Sequence, residues 1–111
     1  MRDDRARLED MLRAIESIFA KTTGGKAAFE ADEMLQVWAL HHLQIVGEAA
    51  RCLSAEFKQV HPDEVWSKAI GMRHILVHHY FDIDGDQVWR VIEIDLPPLR
   101  ARVLSLLSAA R

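Results

Sequence analysis

Apolar residues recur every three or four positions along most of this chain, which is typical of amphipathic α-helices that bury one face. A first helix is predicted over residues 3–20, with Asp3 or Asp4 as its cap. The paired glycines at 24–25 then favour a turn. A long second helix is predicted over roughly 28–58, because the helical spacing resumes there. Its apolar face is predicted to comprise Leu35, Trp38, His42, Ile45, Ala49, Cys52 and Leu53.

Two features of the middle of the chain bear on how its helices meet. Gly47 lies inside the long predicted helix, where glycine costs about 1 kcal/mol relative to alanine, so we expect a close helix–helix approach there. Pro62 suits the first turn of a helix and displaces the preceding residue from helical geometry. A third helix is therefore predicted from about residue 63 into residues 73–80.

The last part of the chain is also predicted to be helical. Asp84, with Gln87 three residues later, is typical of a capping box that opens a helix near residue 85. The proline pair at 97–98 is expected to kink or split this helix. No alternation of period two is sustained, so we predict no strands. The whole pattern predicts an all-α up-and-down bundle of four helices, or five if the prolines split the last one.

Length, composition and charge limit the classes of protein to which this chain can belong. Its 111 residues, half of them apolar, are expected to form one domain spanning 1–111. No apolar run approaches the ~20 residues that span a bilayer, and the N-terminus leads into no signal segment, so we expect a cytoplasmic protein without membrane contact. Cys52 is the only cysteine, which excludes an internal disulfide. The net charge of −3 argues against a broad nucleic-acid-binding face.

The stretch richest in chemically active groups is Arg73-His74-Ile75-Leu76-Val77-His78-His79-Tyr80. Arginine offers a planar fork of donors matched to phosphate, and histidine titrates near pH ~6.5 and can act as base and then as acid. These are the two requirements of metal-independent RNA cleavage. Arg73 and His78 lie about 140° apart around a helix, so they converge only if the helix ends or bends near His78. Arginine, histidine and tyrosine also occur together by chance at helix ends, which leaves a purely structural interpretation open.

The histidines of this stretch also raise the hypothesis of a metal site. His74 and His78 are the only two histidines with the four-residue spacing of a helical two-histidine site. No third ligand is evident nearby in the sequence. We therefore predict no metal ligands and no cofactor.

The spacing Arg73-x4-His78-x-Tyr80 is similar to the RX4HXY pattern of the HEPN superfamily, and nearly the whole chain resembles one of its branches, the HepT-like (DUF86) toxins. Two positions depart from the pattern of that branch: Val65 stands where a proline is usual, and His74 stands where asparagine is commoner. The segments that carry the resemblance are Gly47-Glu48-Ala49, Pro62–Trp66, Gly71-Met72-Arg73, Ile75-Leu76-Val77-His78, Tyr80-Phe81 and Asp95-Leu96-Pro97.

The resemblance implies a helical bundle of HEPN type that forms a homodimer, in which two copies of the motif face each other and form a composite ribonuclease site. It also implies a type VII HEPN/MNT toxin–antitoxin system that acts on cellular RNA, with tRNA and mRNA both open. The implied partner is an MntA-like minimal nucleotidyltransferase antitoxin, which neutralises the toxin by transferring AMP from ATP to Tyr80. An adenylyl group at that position adds negative charge and bulk beside Arg73 and His78.

The candidate site residues have different expected roles. By this resemblance, Arg73 binds and stabilises the scissile phosphate, His78 is the general acid/base, and Tyr80 is the AMPylation site. Glu48 and His74 are supporting candidates. The carboxylate of Glu48 either orients Arg73 or His74, or belongs to an ordinary solvent-facing glutamate.

Two functions other than that of a ribonuclease are also consistent with the sequence. The chain is either a ribonuclease or a non-catalytic helical subunit that presents substrate to a nucleotidyltransferase. The modest negative charge favours the second alternative, and the intact pair of Arg73 and His78 favours the enzyme. A helical nucleotide-binding domain that uses Arg73 is a third interpretation.

Overall fold

All regular structure in the described part of the chain is helical, as the spacing of apolar residues predicted. The computed structural model describes residues 3–78 and 84–109, except for the side chains of residues 74–78. No strand occurs among these residues. The helices are α1 (Asp4–Lys21), α2 (Gly25–Glu30), α3 (Glu33–Arg51), α4 (Ala55–Val60), α5 (Glu64–His78), α6 (Gly85–Arg90) and α7 (Leu96–Ala109), with a π-helical turn over Val91–Asp95 before α7.

The helix α3 is central to the bundle, because it packs against both α1 and α5, while α7 packs on α1. Each of these helices buries an apolar stripe, and each large apolar side chain removed from water contributes about 1.5–3 kcal/mol. The all-α bundle is therefore confirmed. Its fully buried large side chains include Met11, Ile15, Ile18, Phe29, Leu43, Val46, Leu96, Leu99 and Val103.

Two predicted helix starts are confirmed, at the positions where the sequence offered a capping side chain. Asp3 is the cap of α1, and its Oδ1 accepts a hydrogen bond of 2.8 Å from the backbone N–H of Ala6. Asp84 caps α6 in the same way, accepting at 3.1 Å from the backbone N–H of Gln87. At the turn after α1, Gly25 has φ +89°, a conformation that side chains with a Cβ rarely adopt.

The prediction of one long helix over 28–58 is wrong, because the segment forms three helices, α2, α3 and α4. Two side chains cap the helices that follow each break. Asp32 accepts a hydrogen bond of 3.1 Å from the backbone N–H of Leu35 and starts α3. Ser54 accepts one of 3.0 Å from the backbone N–H of Phe57 and starts α4. Aspartate and serine at such positions compete with the continuing helix for backbone donors.

The predicted apolar face of α3 is also partly wrong. Trp38 and Ile45 were assigned to the core, but they are 39% and 36% exposed. The residues that α3 turns inward include two small alanines, Ala39 and Ala50, together with Leu43. Small side chains let neighbouring helices approach closely. The buried face of α3 therefore contains these alanines, and the face that carries the larger Trp38 and Ile45 is partly exposed. The spacing pattern alone could not distinguish these two faces.

The proline pair at 97–98 does not split the last helix. The elements α6, the π-helical turn and α7 follow one another without a break. A proline ring clashes with the carbonyl group four residues before it, and those carbonyls belong to Glu93 and Ile94. Both residues lie in the π-helical turn, where the N–H of Leu96 bonds to the carbonyl of Val91, five residues back. The wider turn therefore accommodates the prolines.

None of the helices within the described residues is both long enough and apolar enough to cross a membrane.

Candidate active site where α3 crosses α5

The crossing of α3 and α5 is unusually close at Gly47. A Cβ atom placed there would lie 2.7 Å from Cγ of Arg73, 3.0 Å from the carbonyl oxygen of Ala69 and 3.1 Å from the backbone nitrogen of Arg73. Only a residue without a side chain fits this space. The close helix–helix approach predicted at Gly47 is therefore confirmed, and the stem of Arg73 lies directly over the glycine.

Glu48 follows Gly47 on α3 and contacts the same arginine. Its Oε1 atom lies 3.2 Å from Nε of Arg73, with the two side chains 45% and 37% exposed. Of the two sequence interpretations of Glu48, contact with Arg73 is what the structure shows. The carboxylate is half-exposed, so the pair forms at the surface of the bundle and the arginine remains accessible to a ligand.

Arg51 completes this group and was not identified from the sequence. Its Nε and Nη2 atoms lie 3.1 Å and 2.5 Å from Oε2 of Glu48. The two residues are three positions apart on α3, a spacing at which opposite charges meet on a helix surface. That spacing is a signal that could have identified Arg51. One carboxylate therefore holds two guanidinium groups, and we call Glu48, Arg51 and Arg73 the arginine–glutamate cluster.

The two arginines keep the carboxylate of the cluster ionised. The hydrogen bond from Arg51 is the largest influence and lowers the pKa of Glu48 below its ordinary value of 4.5. Desolvation is the second-largest influence and opposes this change, whereas the charges of Arg51 and then Arg73 also lower the pKa of Glu48. The same hydrogen bond raises the pKa of Arg51. At neutral pH the cluster thus contains one negative and two positive charges.

The other predicted site residues lie wholly or partly outside the described residues. The backbone of α5 is described through His78, so His74 and His78 belong to the same helix as Arg73, but their side chains are not among those described. Tyr80 lies in 79–83, which falls outside the described residues. Along an α-helix, Arg73 and His78 are separated by about 7.5 Å of axial rise. Their convergence on one substrate stays a prediction.

Other surface features do not coincide with this cluster. An open groove of about 790 Å³ lies between α1 and α7 and is lined by charged and apolar side chains, including Arg5, Glu9 and Leu107. None of the predicted site residues lines it. Among the described residues, no three His, Cys, Asp or Glu side chains are grouped so that they could hold a metal ion.

Comparison with known proteins assigns the family. The family model described as "Ribonuclease HepT-like" matches residues 8–106, which include α3, α5 and the segment between α5 and α6. This chain belongs to the HepT-like ribonuclease family. The resemblance inferred from the motif is thereby confirmed, and membership supports a ribonuclease function.

Several curated proteins are similar to this HepT-like chain over most of their length. A protein of Thermococcus cleftensis named "Probable ribonuclease HepT" is 34% identical over 98 residues, covering 86% of this chain and 87% of the relative. "Putative RNase MJ1380" of Methanocaldococcus jannaschii is 30% identical over 103 residues, covering 92% and 94%. "Putative RNase TTE0752" of Caldanaerobacter subterraneus is 31% identical and covers 97% of each chain. No solved structure matches the chain at a significant level.

Proposed function

We propose that this HepT-like chain is the metal-independent ribonuclease toxin of a type VII HEPN/MNT toxin–antitoxin system, and that it cleaves tRNA or mRNA in the cytoplasm. The observation that carries the proposal is the placement of Arg73. The Gly47 crossing and the carboxylate of Glu48 hold this arginine at an accessible surface, five residues before His78 on the same helix. Family membership and the spacing Arg73-x4-His78-x-Tyr80 support the same function.

The proposed reaction needs one base, one acid and one cation. The imidazole of His78 takes the proton from a ribose 2′-hydroxyl, and the 2′-oxygen then attacks the adjacent phosphorus. The guanidinium of Arg73 stabilises the negative charge that develops on the phosphorane oxygens. The bond from phosphorus to the 5′-oxygen breaks, and that oxygen takes up a proton from the imidazolium of His78, which returns to its neutral form. The products are a 2′,3′-cyclic phosphate and a 5′-hydroxyl.

In this mechanism Glu48 is a positioning residue. Its carboxylate contacts Nε of Arg73, which restricts the arginine and leaves the two terminal amino groups of the guanidinium for a phosphate. Preorganising a cation before the charge develops is the main way in which such a site accelerates a reaction. His74 follows Arg73 on α5, and we propose it as a further supporting residue.

We propose that two copies of the chain form the complete site. A helix places Arg73 and His78 on different sides of its axis, so a second copy of the motif supplies the groups that one helix cannot direct to the same phosphate. A homodimer with two-fold symmetry brings the same segment of each copy to one cleft.

The partner in this proposal is an MntA-like nucleotidyltransferase that transfers AMP to the hydroxyl of Tyr80. The modification adds a phosphodiester close to Arg73 in sequence, so it competes with RNA for the same cation. Intact-mass measurement of the chain co-expressed with such a transferase tests this step. The step is supported if the mass of the chain rises by one or more AMP groups that map to Tyr80, and if Tyr80→Phe shows no such rise. An unmodified chain beside an active transferase contradicts it.

The ribonuclease function is tested by incubating the purified, unmodified chain with cellular RNA in the presence of a chelator. We expect cleavage that leaves 2′,3′-cyclic phosphates, and its loss in Arg73→Ala and His78→Ala. The matched control is Arg100→Ala, since Arg100 also pairs with a glutamate across two helices, but on α1 and α7. Cleavage by either site variant at the wild-type rate contradicts the assigned roles.

A second function, a non-catalytic subunit that presents substrate to a nucleotidyltransferase, is favoured by the net charge of −3. A protein that binds RNA mainly by electrostatic attraction is usually basic. Under this alternative the unmodified chain cleaves no RNA, whereas it still binds the transferase. The cleavage assay therefore separates the two functions.

A further inference from the structure

The arginine–glutamate cluster contains more positive charge than its carboxylate neutralises. Four other ion pairs among the described residues each join one cation to one carboxylate: Arg5–Glu9, Lys26–Asp86, Arg100–Glu16 and Arg102–Asp63. Glu48 instead contacts two guanidinium groups, so the cluster carries one net positive charge. On a chain whose net charge is −3, such a local excess attracts a polyanion.

The two arginines contact different oxygens of the carboxylate. Arg73 uses Nε on Oε1, and Arg51 uses Nε and Nη2 on Oε2. The side chain of Arg51 is 52% exposed, more than that of Arg73, and its Nη1 group is not used in the contact with Glu48. The carboxylate of Asp4, on α1, accepts hydrogen bonds of 2.8 Å from both the backbone N–H and the hydroxyl of Ser54, three residues after Arg51. Each oxygen of Asp4 thus accepts a hydrogen bond from Ser54, and among the described residues the ion pair of Arg51 is with Glu48.

We propose that Arg51 is a substrate-binding residue that contacts an RNA phosphate next to the one held by Arg73. This inference rests on the proposed ribonuclease function. Because both guanidinium groups flank one carboxylate, a single RNA strand can reach both at once. The planar fork of arginine suits a phosphate oxygen pair, and neutralising a phosphate releases a condensed counterion. Arg51 thus extends the site from the reacting phosphate along the RNA backbone.

Binding of a single-stranded RNA oligonucleotide to the His78→Ala variant, which we expect not to cleave it, gives the first test. Affinity is measured at several salt concentrations for His78→Ala alone and combined with Arg51→Gln, Arg51→Lys or Arg100→Gln. Loss of one phosphate contact on a single strand lowers the slope of log affinity against log salt by about 0.7. We expect that decrease in Arg51→Gln only, because lysine retains the charge and Arg100 lies in a different pair.

Steady-state cleavage with His78 intact gives the second test. We expect Arg51→Gln to raise KM about two- to five-fold, as for loss of one exposed charge contact, with kcat nearly unchanged. In Arg51→Lys, which keeps the positive charge, KM should be close to the wild-type value. A structural role through Glu48 alone would instead lower kcat by misplacing Arg73 and leave the salt slope unchanged.

The outcomes separate this inference from the function on which it rests. If the wild-type chain cleaves RNA but Arg51→Gln changes neither KM nor the salt slope, Arg51 does not bind RNA and the ribonuclease proposal stands. If Arg51→Gln lowers only kcat, the inference is also overturned. If the wild-type chain neither binds nor cleaves RNA, both proposals fail. Thermal unfolding of each variant confirms that the compared proteins are folded.

Discussion

In the described part of the chain, two pairs of arginine and glutamate join neighbouring helices, and they differ in what surrounds them. Glu16 and Arg100 connect α1 to α7, and Glu48 and Arg73 connect α3 to α5. The four side chains of these pairs are between 37% and 49% exposed. Exposed pairs of this kind typically contribute about 0–1 kcal/mol to stability, so the ion pair itself does not mark a functional site.

The difference lies in the packing and in the charge balance. The stem of Arg73 lies against Gly47, at a crossing where no Cβ fits without a shift of its neighbours, and among the described residues the ion pair of Arg100 is with Glu16 alone. Glu48 also holds Arg51, so its two arginines are not fully neutralised. We conclude that a packed arginine beside an excess of positive charge distinguishes the candidate site from a surface ion pair of the same composition.

The largest expected effect contrasts the two arginines directly. Arg73→Ala and His78→Ala should each lower the rate of RNA cleavage by about 100- to 10,000-fold, because each removes a group that acts on the reacting phosphate. Arg100→Ala should leave the rate unchanged. Cleavage is measured with the purified, unmodified chains, and circular dichroism checks that they remain helical. Equal losses in Arg73→Ala and Arg100→Ala would remove the distinction between the two pairs.

Substitution of glycine tests whether the close crossing matters. Gly47→Ala should destabilise the fold by about 1–3 kcal/mol, because its Cβ must displace Arg73 and the Ala69 carbonyl, and cleavage should fall with it. Gly71→Ala is the matched control within α5, where a Cβ meets nothing within 4 Å. That variant should be neutral or more stable by up to about 1 kcal/mol.

Urea unfolding of the two alanine variants measures this contrast. Equal stability of Gly47→Ala and Gly71→Ala would show that the crossing tolerates a methyl group. In that case the placement of Arg73 would not depend on the glycine.

Removing the shared carboxylate should separate binding from catalysis. In Glu48→Gln the two arginines lose their common anion, so RNA should bind more tightly and with a steeper salt dependence. The rate constant kcat should fall by about 10- to 100-fold, because Arg73 is no longer held in position. Glu16→Gln is the control and should change neither quantity. Weaker RNA binding by Glu48→Gln would contradict the proposed charge balance.

The smallest expected effect is the pH dependence of the cluster. The pKa of Glu48 is lower in the folded protein than its ordinary value of 4.5, chiefly through the hydrogen bond from Arg51. The carboxylate therefore stabilises the folded state at pH values above 4.5, and this contribution is lost as the pH falls through the lowered pKa. The difference in unfolding free energy between the wild type and Glu48→Gln should follow that course. A difference that changes near neutral pH would point to another group.

Local signals explain how much of the fold could be predicted. Helical spacing identified the all-α class, and Asp3 and Asp84 fixed two helix starts, because a cap depends on bonds made within a few residues. The same kind of signal was present but missed at Asp32 and Ser54, which break the long predicted helix. The breaks were therefore predictable in principle.

Two features could not be predicted from local signals: which face of α3 is buried, and how the last helix continues through the proline pair. Trp38 and Ile45 share a helical stripe that looks like a core face, and only the packing of α1 and α5 leaves that stripe partly exposed. The π-helical turn over Val91–Asp95 depends on how the backbone adjusts to the two prolines after it. Neither result follows from spacing along one helix.

By itself, the sequence determined the helical class and the spacing Arg73-x4-His78-x-Tyr80, since both are read from residues close to one another along the chain. It also determined that Gly47 required a close neighbour. Only the tertiary structure decided that this neighbour is Arg73 and that the carboxylate of Glu48 is shared with Arg51. The contacts of Gly47 and Glu48 with Arg73 join residues more than twenty positions apart, and their geometry depends on how closely two helices pack. The contact of Glu48 with Arg51 spans only three positions on α3, so the sequence allowed it, but only the structure showed that both arginines share one carboxylate.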